Sequence, residues 1–466
     1  MATHHLASWV NSLKYSDLPQ EVVSAAVRSF YNWVGCAVGG SNHPATLIAN
    51  EALKPFFGAP TASLLGHKGK ASIDAQHAAL LNGIASHVHD YDDTHLDTII
   101  HPTGPVASAL LAIAESKGPY SGKEFLLALT AGIEAECKVG LVVWPEHYDV
   151  GWHITSTTGS IGAAVAVSKL LSLSTTQTAH AIGIAATQVT GLREMFGSHT
   201  KSFHPGRAAQ NGLMAAILAE KGYTSSEKAL EALRGWANVV GVTKEGISQN
   251  MEKWLGFGSG GQAQQVGLPT STQPGRWEIL RNSFKPFPCG IVIHPVIDGC
   301  AQLHQSMKRQ GLDTKDIKSV KITVHPLVLE LTGKRTPKDG LEAKFSVYHG
   351  AAIGLVFGKG TPSQYEDIIV QSTEVVTVRD RVDAEADQQL RADEAKIFLT
   401  TNSGKVLENH IQHALGSIEV PMTNKMLEEK FKDQCASILD DRLDVVSTAL
   451  WNIEQATNIN DVTHMI

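Results

Sequence analysis

Apolar residues recur at helical spacing through the first half of the chain. Val23, Val27, Phe30 and Val34 follow Pro19 at steps of three and four, and Gly39-Gly40 then interrupts the pattern, which predicts an amphipathic helix from Pro19 to about Ala37. Three more helix starts carry the reciprocal Ser/Thr-x-x-Glu/Gln signature: Ser121 with Glu124, Ser174 with Gln177, and Thr224 with Glu227. Two segments are dense in small residues, Gly159 to Ala166 and Gly206 to Gly212. A helix-interior glycine costs roughly 1 kcal/mol relative to alanine, so close approach of neighbouring helices is the expected compensation.

The character changes after the glycine run Gly256 to Gly261 and the loop Pro269 to Pro274, which read as a connector. Val320, Ile322 and Val324 alternate with polar residues, and so do Ala395, Ile397 and Leu399 up to Asn402-Ser403-Gly404, a hairpin-type turn before Val406. Helical spacing returns in the tail, where Leu427, Phe431, Cys435 and Leu439 lie four apart. The pattern predicts a helical domain built from residues 1–280 and 413–466, and an α+β domain over 281–412. The acidic run from Asp383 to Asp393 reads as a solvated helix face.

Composition narrows the function classes. Of 466 residues, 43% are hydrophobic and 18% charged, the balance of a globular protein with a sizeable core. Thirty-nine Lys and Arg against 46 Asp and Glu leave a net charge of −7, with no basic block, so no nucleic-acid or membrane surface is expected and a small molecule is the default partner. Cys36, Cys137, Cys289, Cys300 and Cys435 form no C-x-x-C, which argues against a disulfide framework or an iron–sulfur site. No secretory or membrane-spanning pattern is visible, and the reading is a cytoplasmic protein.

Four polar clusters could carry chemistry. His87 to His95, followed by His101-Pro102-Thr103, ends an apolar helix that starts near Ile73, where the helix dipole and mutual repulsion raise the pKa of at least one acid and make it a candidate base. The competing reading, that these acids bond loop amides, is the more common fate of any single Asp, and the ligand types also suit a divalent ion. Gly151-Trp152-His153 precedes a small-residue helix whose N-terminus suits an anion. His199 to Arg207 sets four potential cations in nine residues, although Arg207 could equally pair with a structural acid. Phe284 to Gly290 places Lys285 at the domain change, with surface lysine and buried structural cysteine as its plain readings; Cys289 with His294 is a weak nucleophile pair.

Taken in order, His89-Asp90-Tyr91-Asp92-Asp93-Thr94 with His101-Pro102, Gly151-Trp152-His153, Lys201-Ser202-Phe203-His204-Pro205-Gly206-Arg207-Ala208-Ala209-Gln210-Asn211-Gly212, and Lys285-Pro286-Phe287-Pro288-Cys289 resemble the MmgE/PrpD family over nearly the whole chain. That family includes 2-methylcitrate dehydratase and cis-aconitate decarboxylase. The resemblance implies a large helical domain formed by both chain ends, a smaller α+β lid, a homodimer, and a site that uses neither metal nor cofactor. By motif, that site comprises Asp90, Thr94, His101, His153, Lys201 and Lys285. Two positions depart from the decarboxylase pattern: Gly290 stands where the animal enzymes carry a histidine, and aliphatic residues near Leu329 stand where they carry a tyrosine.

The expectation is therefore a carbon–oxygen lyase that dehydrates a 2-methylcitrate- or 2-alkylcitrate-like tricarboxylate. Asp90 or His101 would be the base and His153 the proton donor; Lys201, Lys285 and Arg207 would hold carboxylates, and Thr94 would orient the substrate. Decarboxylation of cis-aconitate to itaconate and epimerisation of a small dicarboxylate are the same-family alternatives. A metal-dependent hydrolase built on His87, His89, Asp90 and Asp93 is the alternative from another class.

Overall fold

Helices form where the sequence supplies both an apolar stripe and a start signal. In the computed structural model, which describes residues 1–67, 71–243, 246–256, 267–269 and 275–466, the predicted first helix runs Gln20–Gly40. Ser121 and Ser174 cap their helices as expected: each hydroxyl accepts the N–H of the third helical residue at 3.3 Å, and Glu124 and Gln177 reach back to the capping N–H groups at 2.8 and 3.1 Å. The third signature does not start a helix. Ser225, next to Thr224, instead gives its N–H to His180 Nδ1 (3.2 Å) and its hydroxyl to the His180 carbonyl (3.0 Å), a tertiary contact that outcompetes the local cap.

The described residues fall into two units, Met1–Val88 with Asp92–Asn282 and Leu427–Ile466, and His89–Tyr91 with Ser283–Met426. Of the expected connector, Gly256 to Gly261 and Pro269 to Pro274, residues 257–261 and 270–274 lie outside the described residues.

The first unit is helical. At its centre the Ile154–Leu170 helix is buried all round except at Lys169, whose Nζ donates to the Val10 and Leu13 carbonyls (2.8 and 2.5 Å). The helices Thr103–Lys117, Gly122–Val143, Thr175–Ala186 and His199–Glu220 surround it, and Ala75–His87 packs on the last of these. Their glycines bear out the small-residue reading. A Cβ on Gly83 would lie 2.5 Å from Gly206 Cα, and one on Gly206 would lie 2.3 Å from the Leu80 carbonyl oxygen. The chain's tail closes this core: Leu427, Phe431, Cys435 and Leu439 on the Asn424–Leu439 helix are buried, and Tyr31 packs its ring 4.8 Å from Phe431 and 4.3 Å from Trp451.

In the second unit a four-stranded mixed sheet has the order Val382–Ala386, Ile317–Val324, Ala395–Thr401, Val406–Ile411, the first pair parallel and the others antiparallel. Val320, Ile322 and Val324 share one apolar core with Val296, Ile297, Cys300 and Leu303 of the His294–Arg309 helix and Ile353 of the Val347–Phe357 helix. The hairpin turns at Gly404, whose φ of 85° explains the glycine. The acidic run is not a helix face. Val382, Ala384 and Ala386 alternate with Asp383 and Glu385, a strand period, and the acids reach Arg335 (2.6 Å) and Lys321 (2.9 Å). Residues 413–426 belong to this unit, where Leu415 N–H bonds Asp298 Oδ2 at 3.1 Å. No helix among the described residues is long and apolar enough to cross a membrane.

Candidate functional site

The first unit gathers imidazoles from separate elements. His87 closes the Ala75–His87 helix, which Asp74 caps by accepting the Gln76 and His77 N–H groups. Its Nδ1 meets Asp92 Oδ2 at 2.7 Å, and Asp92 Oδ1 lies 3.3 Å from His101 Nδ1. His101 is fixed by its own N–H on Thr155 Oγ1 (3.1 Å), and Thr94 Oγ1 stands 3.5 Å from its Nδ1, at the limit of a hydrogen bond. His153 precedes the Ile154–Leu170 helix, held there by its N–H on the Gly191 carbonyl (3.1 Å), and its Nδ1 is 2.9 Å from His204 Nδ1. Ring centroids are 4.7 Å apart for His87 and His101, 5.9 Å for His87 and His153, and 6.5 Å for His101 and His153. Phe196 packs its edge on His153 at 5.1 Å and carries Lys201 Nζ 5.3 Å from its ring centre.

Burial decides the charge states. Desolvation pushes His87 down to about 4 against the pull of Asp92, and holds His153 well below its usual value, with His204, Lys201, His87 and His101 adding to the effect. His204 is likewise pushed down to about 4, by burial and then by His87 and Lys201. Asp92 is held well below the usual carboxylate range despite its burial, because His87 and His101 flank it. Asp93 goes the other way. Burial, aided by Asp92, raises it to about 7, although it accepts Thr103 Oγ1 at 2.5 Å and the Asn282 amide. The expectation that one acid of this run would be raised holds for Asp93, through desolvation rather than the helix dipole. At neutral pH the cluster thus presents neutral His87, His153 and His204 beside the Asp92 carboxylate.

Asp90 and Lys285 lie in the second unit. Lys285 is 1% exposed, and its Nζ donates to Asp90 Oδ1 (2.9 Å), the Asp90 carbonyl (3.1 Å) and the Cys289 carbonyl (3.2 Å). Asp90 takes φ 51°, a left-handed conformation that turns its carbonyl and its carboxylate to the same ammonium and costs an aspartate on the order of 1 kcal/mol. Lys344 is a second buried lysine here, with Nζ on the His89 and Pro288 carbonyls (2.9 and 3.0 Å) and 4.8 Å from the Tyr365 ring centre. Burial pushes the Cys289 thiol up to about 12, so it is no thiolate nucleophile.

Of the motif residues, Thr94, His101, His153 and Lys201 share the imidazole cluster. Arg207 bonds Gln210 Oε1 at 2.6 Å, a partner on its own helix, and not a structural acid. Sequence reasoning did not assign His87, Asp92 and His204 to the lyase site, nor Lys344, although it named His87 for the metal-dependent alternative and counted His204 among the cations of the third cluster. His87, Asp92 and His101 have the donor types of a divalent-metal site, with both Asp92 oxygens turned to imidazole Nδ1 atoms. A surface groove of about 720 Å³, lined by Ile184, Met214, Leu218, Tyr223 and Trp236, contains none of these side chains.

Two family models match the chain, the MmgE/PrpD N-terminal domain over residues 4–246 and the MmgE/PrpD C-terminal domain over residues 287–453. The chain belongs to the MmgE/PrpD family. A cis-aconitate decarboxylase-like protein of Aspergillus oryzae is 27% identical over 483 residues, covering 100% of this chain and 97% of its own. Human cis-aconitate decarboxylase is 25% identical over 479 residues, covering 100% of this chain and 94% of its own. The 2-methylcitrate dehydratase of Escherichia coli K12 is 23% identical over 339 residues, covering 69% and 65%. The mostly helical architecture with a smaller mixed sheet in the C-terminal part is that of the family, and the chain is related to its lyases.

Proposed function

We propose that this MmgE/PrpD protein decarboxylates cis-aconitate to itaconate, or a close tricarboxylate analogue to the corresponding dicarboxylate. The observation that carries the reading is the reach of the similarity: cis-aconitate decarboxylases match along 100% of the chain, whereas the E. coli dehydratase matches along 69%. The chemistry agrees with the cluster. Loss of the carboxylate on the saturated carbon sends its electron pair into a new double bond, and the old double-bond pair moves to the carbon beside the far carboxylate. That carbon needs one proton, and no C–H base is required. His153 is the proton donor, Lys201 binds the carboxylate on which charge builds, and His101 and Thr94 orient the substrate. A buried, neutral imidazole surround disfavours a carboxylate and thereby favours its departure as carbon dioxide. Asp90 and Lys285 are assigned to substrate binding by motif alone, and Arg207 to a peripheral carboxylate contact.

Dehydration of a 2-alkylcitrate is the second reading, favoured by Gly290 and by the aliphatic stretch at Leu329. Proton NMR of the purified protein with cis-aconitate and, separately, with 2-methylcitrate tests the choice. The paired vinylidene signals of itaconate are expected. An alkene formed only from 2-methylcitrate would transfer the assignment to dehydration. The reading invokes no metal, so EDTA-treated protein is expected to keep its rate; loss restored by an added divalent ion would contradict it.

A further inference from the structure

Decarboxylating a trianion to a dianion consumes one proton per turnover, so the donor must be refilled from solvent. We propose that His204 is the relay residue that refills His153, through the direct contact between their Nδ1 atoms. The inference rests on the decarboxylase reading and adds a role for His204.

A 2.9 Å approach of two imidazole Nδ1 atoms admits one proton between them, since one nitrogen must donate and the other accept. Both rings are buried, 1% and 4% exposed, and both are held neutral, so each carries one N–H. With His204 donating, His153 accepts at Nδ1 and its own proton must sit on Nε2, the atom free to face a substrate. Among the described residues neither Nε2 has a hydrogen-bond partner, and neither is sealed from solvent; His87 Nε2, by contrast, is sealed and partnerless. His204 is itself anchored: it rides the first turns of the His199–Glu220 helix, its carbonyl accepts Ser156 Oγ at 3.2 Å, and the Gly191 backbone packs against its ring. The groups facing the pair are His87, His101 and Lys201, with no carboxylate among them.

The proton count closes. His153 gives its Nε2 proton to the substrate carbon, takes the Nδ1 proton of His204, and His204 takes a solvent proton at Nε2. One solvent proton enters, one is delivered, and neither ring is left charged. After product release solvent reaches His153 Nε2 and protonates it, the shared proton passes back from His153 Nδ1 to His204 Nδ1, and His204 Nε2 gives its proton to solvent, which restores the starting tautomers with no net proton change. His204 thus never touches substrate.

The test uses wild type, His204→Gln and His204→Ala. A glutamine amide can still donate to His153 Nδ1 but cannot pass a proton on. If His204 relays, kcat falls roughly 100-fold in both variants with KM little changed, and added imidazole restores His204→Ala. Nitrogen-15 NMR of the substrate-free wild type should show a coupling across the Nδ1–Nδ1 hydrogen bond that His204→Gln lacks. Itaconate formation at the wild-type rate in His204→Gln, or absence of that coupling in the wild type, overturns the relay alone. A wild type that shows the coupling yet makes no itaconate overturns the decarboxylase reading beneath it.

Discussion

Gly206→Ala probes the link between helix packing and the imidazole cluster. The added Cβ would stand 2.3 Å from the Leu80 carbonyl oxygen and 3.0 Å from Ile84 N, atoms of the facing helix backbone that no rotamer change can move. Relief needs the His199–Glu220 helix to back away by about 1 Å, since real Cβ atoms do not approach within about 3 Å of such atoms. Overpacking of this kind costs about 3 kcal/mol, and the better helix propensity of alanine returns about 1, leaving about 2 kcal/mol. That predicts a Tm lower by about 2–3 °C, the small shift expected of a unit this large. The same 1 Å shift displaces Lys201 and His204, and misplacement on that scale can lower a rate about 100-fold. Calorimetry and steady-state kinetics on the same preparation read both effects. Gly39→Ala is the contrast, because its nearest neighbours would be Gln434 Cβ at 3.0 Å and Oε1 at 3.3 Å, a squeeze of a few tenths of an ångström rather than a 2.3 Å clash with backbone. A Gly206→Ala protein with wild-type Tm and rate, or one no worse than Gly39→Ala, would refute the reasoning.

Three further outcomes are expected. Asp93, raised to about 7 by burial, keeps its proton in the folded state while the unfolded chain loses it above about 4, so wild type loses stability from this group as pH rises from about 4 to about 7. The urea midpoint of Asp93→Asn should therefore gain on wild type across that window and run parallel above it; a constant difference would show that Asp93 titrates normally. Lys201→Met should raise KM or lower kcat by more than about tenfold while circular dichroism stays native, and wild-type kinetics would remove Lys201 from the site. Lys285→Met strips the Asp90 carboxylate of its buried partner and should cost about 3–5 kcal/mol in urea unfolding, against less than about 0.5 for an exposed lysine.

Elements whose signal is local were readable from the chain. The Gln20–Gly40 helix, two reciprocal caps, the strand alternation at Val320 and Ile397, and the return of helix after Thr423 all follow from spacing that neighbours in sequence enforce. The glycines of Gly206 to Gly212 even announced a close helix crossing. What failed depended on distant partners. The cap at Thr224 lost to a histidine 45 residues upstream of Ser225, and the run at Asp383 became a strand because Ile317–Val324 offered it an edge. The site divides along the same line. Motifs flagged Thr94, His101, His153 and Lys201, but no spacing could show that Asp92 joins His87 to His101, or that His204 meets His153 across 51 residues. Lys344 was hidden for the same reason, since its ligands are the His89 and Pro288 carbonyls.

The central claim is loss of carbon dioxide from a tricarboxylate, and membrane-inlet mass spectrometry on cis-aconitate tests it most directly. The account predicts carbon dioxide evolved one for one with itaconate, at a rate that falls with Lys201→Met. No carbon dioxide from cis-aconitate, alongside water loss from 2-methylcitrate, would contradict it.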